Sequence, residues 1–214
     1  MEVPRSERRP ASRSLLFVIA VHAALTVLAI LVIDQPVARW IWQYEPAGFW
    51  NRGIDYLEWA IGLPVFSWIS GIVLVLGMVI TAAVPRWRGQ TPVWMLVAAT
   101  HIISRYLTLQ LKLGTARLRP TEWLEQGGDT FGREGGVSFP SGHVAIFGSI
   151  VIPLAVAVPR LRPLIAIVGF VMAARVAVDA HFISDVTASV TLIGLVTYAL
   201  SWLIRPLPAP ARTP

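Results

Sequence analysis

The chain has no cysteine and little charge, and both absences limit what it can be. Without cysteine it has no disulfide bonds and no thiolate metal sites, although the redox compartment stays open. Only 14% of the 214 residues are charged, 55% are hydrophobic, and the mean hydropathy is +0.64. A water-soluble globular domain carries more charge than this, so we expect an integral membrane protein.

The charge that is present is mostly basic. A net charge of +6 and a pI near 10.7 would suggest a nucleic-acid partner for a soluble protein. In a membrane protein, a basic excess instead reports on which side of the membrane each loop lies. We therefore expect membrane lipids as partners, and no nucleic acid.

Long apolar runs predict six membrane-spanning helices. A run of about 20 apolar residues is long enough to cross a bilayer. A cleaved signal peptide is the alternative for the first run, but that run is long for this role and no clear cleavage site follows it. The predicted spans are residues 14–33, 63–84, 91–113, 143–158, 164–178 and 185–204.

The segments around the spans complete the expected architecture. Residues 34–62 mix tryptophan and tyrosine with charges, which predicts a short helical segment at the membrane surface after the first span. Residues 1–13 are basic and residues 205–214 are rich in proline, so both are predicted to be disordered tails. The predicted fold class is all-α, an integral membrane bundle of six transmembrane helices over residues 14–204.

The placement of arginine predicts how the bundle is oriented. With six spans the two tails share one side, and most arginines fall on that side: Arg5, Arg8, Arg9, Arg13, Arg86, Arg88, Arg160, Arg162, Arg205 and Arg212. Arg39 and Arg52 fall on the other side. Because cytoplasmic loops are enriched in arginine and lysine, we expect an inner (plasma) membrane protein with both termini in the cytoplasm. The glycine-rich loop 114–140 then faces outward.

A short motif, FPSGHV at residues 139–144, marks the point where this loop meets an apolar run. The order proline, serine, glycine predicts a helix start with Ser141 as N-cap and with Gly142 and His143 in the first turn. A helix N-terminus offers unpaired N–H groups and a positive dipole end, which suit a phosphate group. A histidine beside it can transfer protons near neutral pH.

Two further polar clusters are expected at the same outer face. Lys112 and Arg119 lie at the end of the third span, and Arg175, His181 and Asp185 lie between the fifth and the sixth. Ionisable residues in or near spans are costly and usually functional. A carboxylate four residues after His181 can fix the imidazole tautomer, which a nucleophilic or general-base histidine needs, while the cations can hold a phosphoryl group.

The three clusters together resemble the signature motifs of the type 2 phosphatidic acid phosphatase family. The resemblance rests on Lys112, six residues, Arg119-Pro120; on Pro140-Ser141-Gly142-His143; and on Arg175, five residues, His181, three residues, Asp185. All three motifs occur in order within residues 112–185, and the part of the chain before them matches only in being apolar. The chain departs from the usual pattern at Ala174, where the family generally has serine.

This resemblance implies a six-helix bundle that hydrolyses a phosphomonoester or diphosphate on a lipid without a metal or other cofactor. His181 would be the nucleophile that forms a phosphohistidine, Asp185 its orienting partner, and His143 the general acid toward the leaving group. The phosphate would be held by the remaining motif residues: Lys112, Arg119, Ser141, Gly142 through its backbone, and Arg175. The alanine at position 174 removes one hydroxyl near the site and none of the charged roles.

The predicted function is therefore that of a lipid phosphatase at the outer leaflet. A polyprenyl (undecaprenyl) diphosphate is the first candidate substrate, and phosphatidylglycerophosphate, phosphatidate or a glycolipid phosphate are the alternatives. A phosphotransferase with the same site is also open, because a phosphohistidine can pass its phosphoryl group to an acceptor other than water. A vanadium haloperoxidase shares the motifs but is soluble, and a channel or lipid transporter would show inverted repeats, which are absent from this sequence.

Other polar residues have less specific interpretations. His101 and Arg105 can share one helix face with Lys112, and we interpret them as a buried polar stripe paired with neighbouring helices, the alternative being a polar path under the phosphate site. Arg117 fits a cation at the lipid headgroups and a substrate contact equally well. Arg133 and the neighbouring Glu134 are predicted to be solvated loop charges. The sequence does not determine the lipid or the oligomeric state.

Overall fold

The computed structural model of the protein describes residues 9–44 and 48–204, with side chains from residue 13 onward. All regular structure in this part of the chain is helical. The α-helices are α1 (Arg9–Leu28), α2 (Asp34–Trp42), α3 (Phe49–Ala60), α4 (Ile69–Ala83), α5 (Thr91–Thr115), α6 (Pro120–Gln126), α7 (Gly142–Ala157), α8 (Ile165–Ala177) and α9 (Ile183–Leu203). The all-α fold class is thus confirmed.

The first span continues past its predicted end. A π-helical turn, Ala29–Ile33, joins α1 directly to α2, so that the helix runs on to Trp42 and carries Asp34 in the first turn of α2. Residues 9–13, which the sequence assigned to a disordered tail, belong to α1. The rest of that tail, residues 1–8, and the predicted C-terminal tail 205–214 lie outside the described residues.

Two helical segments of the described chain are long and apolar enough to cross a bilayer, Arg13–Trp42 and Ile183–Leu203. Three other predicted spans form shorter helices: α4 has 15 residues, α7 has 16 and α8 has 13. A bilayer crossing takes about 20 residues. Helix α4 begins at Ile69, six residues after the predicted start of its span, because residues 61–68 lie in turns. The 3₁₀ turns Pro85–Gln90 and Pro159–Leu164 follow α4 and α7 close to the predicted ends of those spans. The six-span count therefore stays a prediction.

Helix α7 lies at the centre of the bundle and packs against α5, α8 and α9. Its apolar side chains join the main hydrophobic core, which includes Val144, Phe147, Val171 and Ile193. Helix α1 packs along α9, and the approach is close because Gly194 of α9 faces Ile19 with no side chain between them. Burial of apolar area at about 25 cal/mol per Å² is the main stabilising term for such a core.

The polar ends of several helices meet at one end of the bundle. Lys112, near the end of α5, contacts the start of α7, and the start of α7 bonds to the start of α9, which directly follows the end of α8. Asp34 of α2 and Glu58 of α3 reach the same end, since Asp34 accepts a hydrogen bond from Ser184 and Glu58 contacts His143. The two arginine-containing 3₁₀ turns lie at the opposite end. The bundle thus gathers residues that are far apart in sequence.

The loop between α5 and α7 is held against the chain that precedes it. Four backbone N–H groups of the loop region donate across it, from Leu118 to Thr130, from Gly132 to Thr115, from Arg133 to Ala116 and from Ser138 to Arg117. Gly136 packs directly on the backbone of residues 116–117, where a Cβ atom would lie 2.5 Å from the carbonyl carbon of Arg117. The loop and residues 115–118 therefore form one folded unit.

We expect Gly136→Ala to destabilise the protein because its new methyl group meets backbone atoms that cannot rotate away. Overpacking of this kind costs about 1–3 kcal/mol of unfolding free energy. Gly114→Ala is the matched control, since a Cβ there has no atom within 4 Å. Thermal unfolding of both variants in detergent measures the difference. Equal midpoints for the two variants would contradict the close packing.

Candidate active site

His181 and Asp185 lie where α8 gives way to α9. His181 is 3% exposed, and its Nδ1 lies 3.3 Å from Oδ2 of Asp185 and 3.3 Å from the hydroxyl of Ser138. Because α9 begins at Ile183, the pair does not share a helix face. The carboxylate turns back toward the histidine instead, and it also accepts a hydrogen bond from the backbone N–H of Phe182 at 2.9 Å. This arrangement engages Nδ1 and leaves Nε2 to react.

The surroundings of His181 keep its imidazole neutral. The pKa of His181 is lowered from 6.5 to about 4, and burial is the largest cause. Asp185 opposes this lowering by hydrogen bonding and by charge, while the nearby cations Lys112 and Arg175 contribute to it. At neutral pH the ring therefore carries one proton, which Nδ1 donates to Asp185. Nε2 then keeps the lone pair that a nucleophile requires.

The start of α7 is fixed on the start of α9. Ser141 occupies the N-cap position with extended backbone angles, as its position before the apolar run predicts, although its side chain makes no capping bond. Its backbone N–H donates to the carbonyl of Asp185 at 3.1 Å, and its carbonyl accepts from the hydroxyl of Ser189 at 3.0 Å. These bonds place the first turn of α7, with Gly142 and His143, beside His181 and Asp185.

Lys112 lies in the last turn of α5, against the start of α7. Its Nζ donates to the carbonyls of Val137 and Ser138. The side chain passes close to Gly142, because a Cβ on that glycine would lie 3.7 Å from Cε of Lys112. The ammonium group is thus held at the junction of the loop and α7.

Three cations surround this junction without ion-pair partners among the described residues: Lys112, Arg119 and Arg175. Lys112 is close enough for its charge to interact with those of Arg119 and Arg175, and Lys112 and Arg175 also interact with His143. In the same part of the chain, Nε of Arg119, Nε of Arg175 and Oγ of Ser141 are buried and form no hydrogen bond. Buried donors and cations are costly when they have no partner. An oxyanion with several acceptor oxygens would satisfy them all.

Arg117 is neither a headgroup cation nor a substrate contact, and both interpretations of it are wrong. Its side chain is 1% exposed, and its guanidinium bridges two carboxylates, Asp34 at 2.8 Å and Asp185 at 2.6 Å. The same group donates to the hydroxyl of Ser184 and stacks on the ring of Phe182 at 4.2 Å. The buried Arg117 therefore supports the carboxylate that holds the histidine.

Two acidic residues at the site were missed by sequence reasoning. Asp34 is 2% exposed and, besides Arg117, accepts hydrogen bonds from the backbone N–H and the hydroxyl of Ser184. A signal for it existed, because a carboxylate directly after a long apolar run is costly without a partner. Glu58 lies 2.6 Å from Nε2 of His143. Both residues lie in the segment 34–62 that was predicted to lie at the membrane surface, and no spacing pattern connects either of them to the motifs.

The remaining polar residues singled out from the sequence make structural contacts. His101 is fully buried and joins two helices through hydrogen bonds to Ser70 and Ser149. Arg105 lies over the ring of Trp68, 4.1 Å from its centroid. Ala174 is fully buried in the main core. Two loop charges complete the set: Glu134 is exposed, and Arg133 donates to Gln126 at the surface.

Asp179, two residues before His181, has an unusual environment. Its backbone is left-handed, with φ at 50°, and its side chain is 5% exposed. One carboxylate oxygen forms no hydrogen bond among the described residues. Burial raises the pKa of Asp179 from 3.8 to about 6.

In the part of the chain that the structure describes, no group of three or more histidine, cysteine or acidic side chains is arranged to hold a metal ion.

Comparison with known proteins places these features in a family. The sequence model of the PAP2 superfamily matches residues 93–208, a stretch that includes all three motifs. Among solved structures, the fold is similar to the crystal structure of the first transmembrane PAP2 type phosphatidylglycerolphosphate phosphatase from Bacillus subtilis, with a TM-score of 0.53 and 22% identity. That match covers 90% of this chain and 94% of the other. No curated protein matches the sequence.

We expect Arg117→Met to lower the unfolding free energy by about 3–5 kcal/mol, because it leaves two buried carboxylates without their shared cation. Asp34→Asn should cost less, since Arg117 keeps its contact with Asp185 and the amide oxygen can still accept from Ser184. Thermal unfolding in detergent separates the two variants. The bridging role of Arg117 is wrong if the two variants melt at the same temperature.

We also predict that Asp179 makes stability depend on pH. Its pKa is raised in the folded state, so the folded protein binds this proton more tightly than the unfolded chain does. The stabilisation is fully present below pH 3.8 and is lost as the pH rises through about 6. Asp179→Asn should remove this loss and melt above the parent protein at pH 8. Asp129→Asn, at an exposed carboxylate, is the control and should leave the difference between pH 4 and pH 8 unchanged.

Proposed function

The chain belongs to the PAP2 superfamily and is a membrane phosphatase, and from this premise we propose that it hydrolyses a lipid phosphate or lipid diphosphate through a phosphohistidine at His181. The observation that carries the proposal is the contrast at the site between a neutral, buried imidazole and the surrounding cations. His181 presents an unprotonated Nε2, while Lys112, Arg119 and Arg175 have no ion-pair partners among the described residues. A neutral nucleophile beside unpaired cations suits an anionic electrophile.

The proposed first step is attack of His181 Nε2 on phosphorus. Charge then develops on the phosphoryl oxygens, and the side chains of Lys112, Arg119 and Arg175 stabilise it together with Ser141 and the backbone N–H of Gly142. The buried Nε atoms of the two arginines and the Ser141 hydroxyl, which have no other partner in the described structure, support this role. Asp185 holds Nδ1–H of His181 and stabilises the cationic ring that forms.

His143 is proposed as the proton donor to the leaving group. The bond from phosphorus to the leaving oxygen breaks as that oxygen takes a proton from His143. Water then attacks the phosphohistidine, one of its protons passes to His143, and the phosphorus–nitrogen bond breaks. Inorganic phosphate leaves, and both histidines return to their starting protonation. An acceptor other than water would make the same site a phosphotransferase.

Two substrates are favoured by different considerations. A polyprenyl (undecaprenyl) diphosphate is our first candidate, because this chain resembles small PAP2 enzymes and such enzymes often act on this lipid. Phosphatidylglycerophosphate is the second, because the structural neighbour is a phosphatidylglycerolphosphate phosphatase whose fold this chain shares along most of its length. Phosphatidate and glycolipid phosphates use the same site. The motif residues bind the phosphate shared by all of these lipids, and the choice among them is made elsewhere in the bundle.

We propose that the site faces the non-cytoplasmic side. The site lies at one end of the bundle, and the arginine-containing turns Pro85–Gln90 and Pro159–Leu164 lie at the other. Arginine-rich loops favour the cytoplasm, which supports an outward-facing site in the plasma membrane with both termini inside.

We expect His181→Ala to abolish phosphate release, because it removes the proposed nucleophile. Release by the parent protein should persist in excess chelator, since every proposed step uses only protein groups and water. The measurement is inorganic phosphate released from undecaprenyl diphosphate, phosphatidylglycerophosphate and phosphatidate by purified protein in detergent. Arg133→Ala, at a half-buried loop cation that bonds to Gln126 at the surface, is the control and should keep full activity. Full turnover by the histidine variant, or strict dependence on Mg²⁺, would contradict the assignment.

A further inference from the structure

Glu58 forms an ion-pair contact that none of the three motifs contains. Its carboxylate oxygen lies 2.6 Å from Nε2 of His143, and both side chains are partly shielded, at 21% and 28% exposure. A contact of this length is a charge-assisted hydrogen bond. Since Nε2 of His143 is taken by Glu58, only Nδ1 is left to exchange a proton with a substrate.

The packing of α3 holds Glu58 in place. Helix α3 lies on α8, and Gly53 sits directly against the ring of Phe170, so closely that a side chain there would overlap the ring. Trp50 also packs on Phe170, with ring centroids 5.6 Å apart. These contacts hold a surface helix over the start of α7. The position of Glu58 above His143 is therefore built into the packing of α3 on α8.

The other charged groups that face His143 are cations. Lys112 approaches from α5 and Arg175 from α8, and the charge of each opposes protonation of the ring. An imidazole in this position would not keep the proton that a general acid must donate. The carboxylate of Glu58 is the one anionic group among the described residues that contacts His143. Its charge opposes that of the two cations at Nε2 of His143.

We propose that Glu58 is a positioning residue for the leaving-group step: it holds Nε2–H of His143 so that Nδ1 carries the proton given to the leaving oxygen. When the phosphorus–oxygen bond breaks, the proton on Nδ1 moves to that oxygen and the ring becomes neutral, with Nε2–H still donated to Glu58. When water attacks the phosphohistidine, Nδ1 takes a proton back. This inference rests on the proposed function and adds a residue outside the motifs to it.

The test compares two leaving groups in the Glu58→Gln variant. Glutamine keeps the length and a hydrogen-bond acceptor but removes the charge. The value of kcat/KM reports the step in which the leaving group departs. It is measured for dioctanoyl phosphatidate, whose alkoxide leaving group needs a proton, and for p-nitrophenyl phosphate, whose phenolate leaving group does not. We expect a fall of about 10–100-fold for the lipid, within what general acid catalysis contributes, and a fall of about threefold or less for the nitrophenyl ester.

Controls separate a proton-transfer role from a structural one. Asp55→Asn removes a charge from the exposed side of the same helix and should leave both values unchanged. In a His143→Ala background, Glu58→Gln should have no further effect on the lipid, because the two residues act as a unit. An equal loss with both substrates, or no loss with either, overturns the inference. If His181→Ala still abolishes release in that case, the proposed function stands without it.

Discussion

The site depends on a buried cluster of charge in which one guanidinium serves two carboxylates. Arg117 joins Asp34 and Asp185, and with Ser184 it ties together α2, the segment after α5 and the start of α9. Removing charges from water costs several kcal/mol per ion, so such a cluster persists only when its oxygen atoms are nearly all hydrogen-bonded. The backbone N–H groups of Phe182 and Ser184 provide part of this. The orientation of His181 thus rests on residues from three distant parts of the chain.

Around this cluster the bundle separates two electrostatic tasks. Asp185 forms an ion pair with Arg117 on one side and contacts His181 on the other. Its negative charge is therefore compensated inside the protein, which reduces its repulsion of a phosphate. The positive charge of Lys112, Arg119 and Arg175 stays unpaired within the described chain and is available to an anion. Desolvation makes such charge more effective than it would be in water. The same low dielectric that makes an unpaired buried charge costly also strengthens the attraction of these cations for a phosphate in the proposed site.

The sequence allowed much of this to be predicted, and the failures have physical causes. Apolar runs gave the helices α5, α7, α8 and α9 within a few residues, because hydrophobicity and helix-start signals are local. The motif residues were found because each lies at a helix end in a fixed spacing. Arg117 was misread because its burial depends on Asp34, which lies 83 residues away in another helix. Glu58 was missed for the same reason, since only packing of α3 on α8 brings it to His143. The span count stayed open because α4, α7 and α8 are each shorter than the roughly 20 residues of a bilayer crossing.

The π-helical turn at Ala29–Ile33 fixes the rotational phase of the first helix. Each residue advances an α-helix by about 100°, and a π turn accommodates one additional residue per turn. Upstream of the turn, Ile19 faces Gly194 of α9, and immediately downstream Asp34 faces Arg117. One additional residue in a turn rotates everything downstream by about 100° relative to uninterrupted α-helical winding. The wider turn therefore sets the angle between the apolar contact with α9 and the ionic contact with Arg117 on one continuous helix.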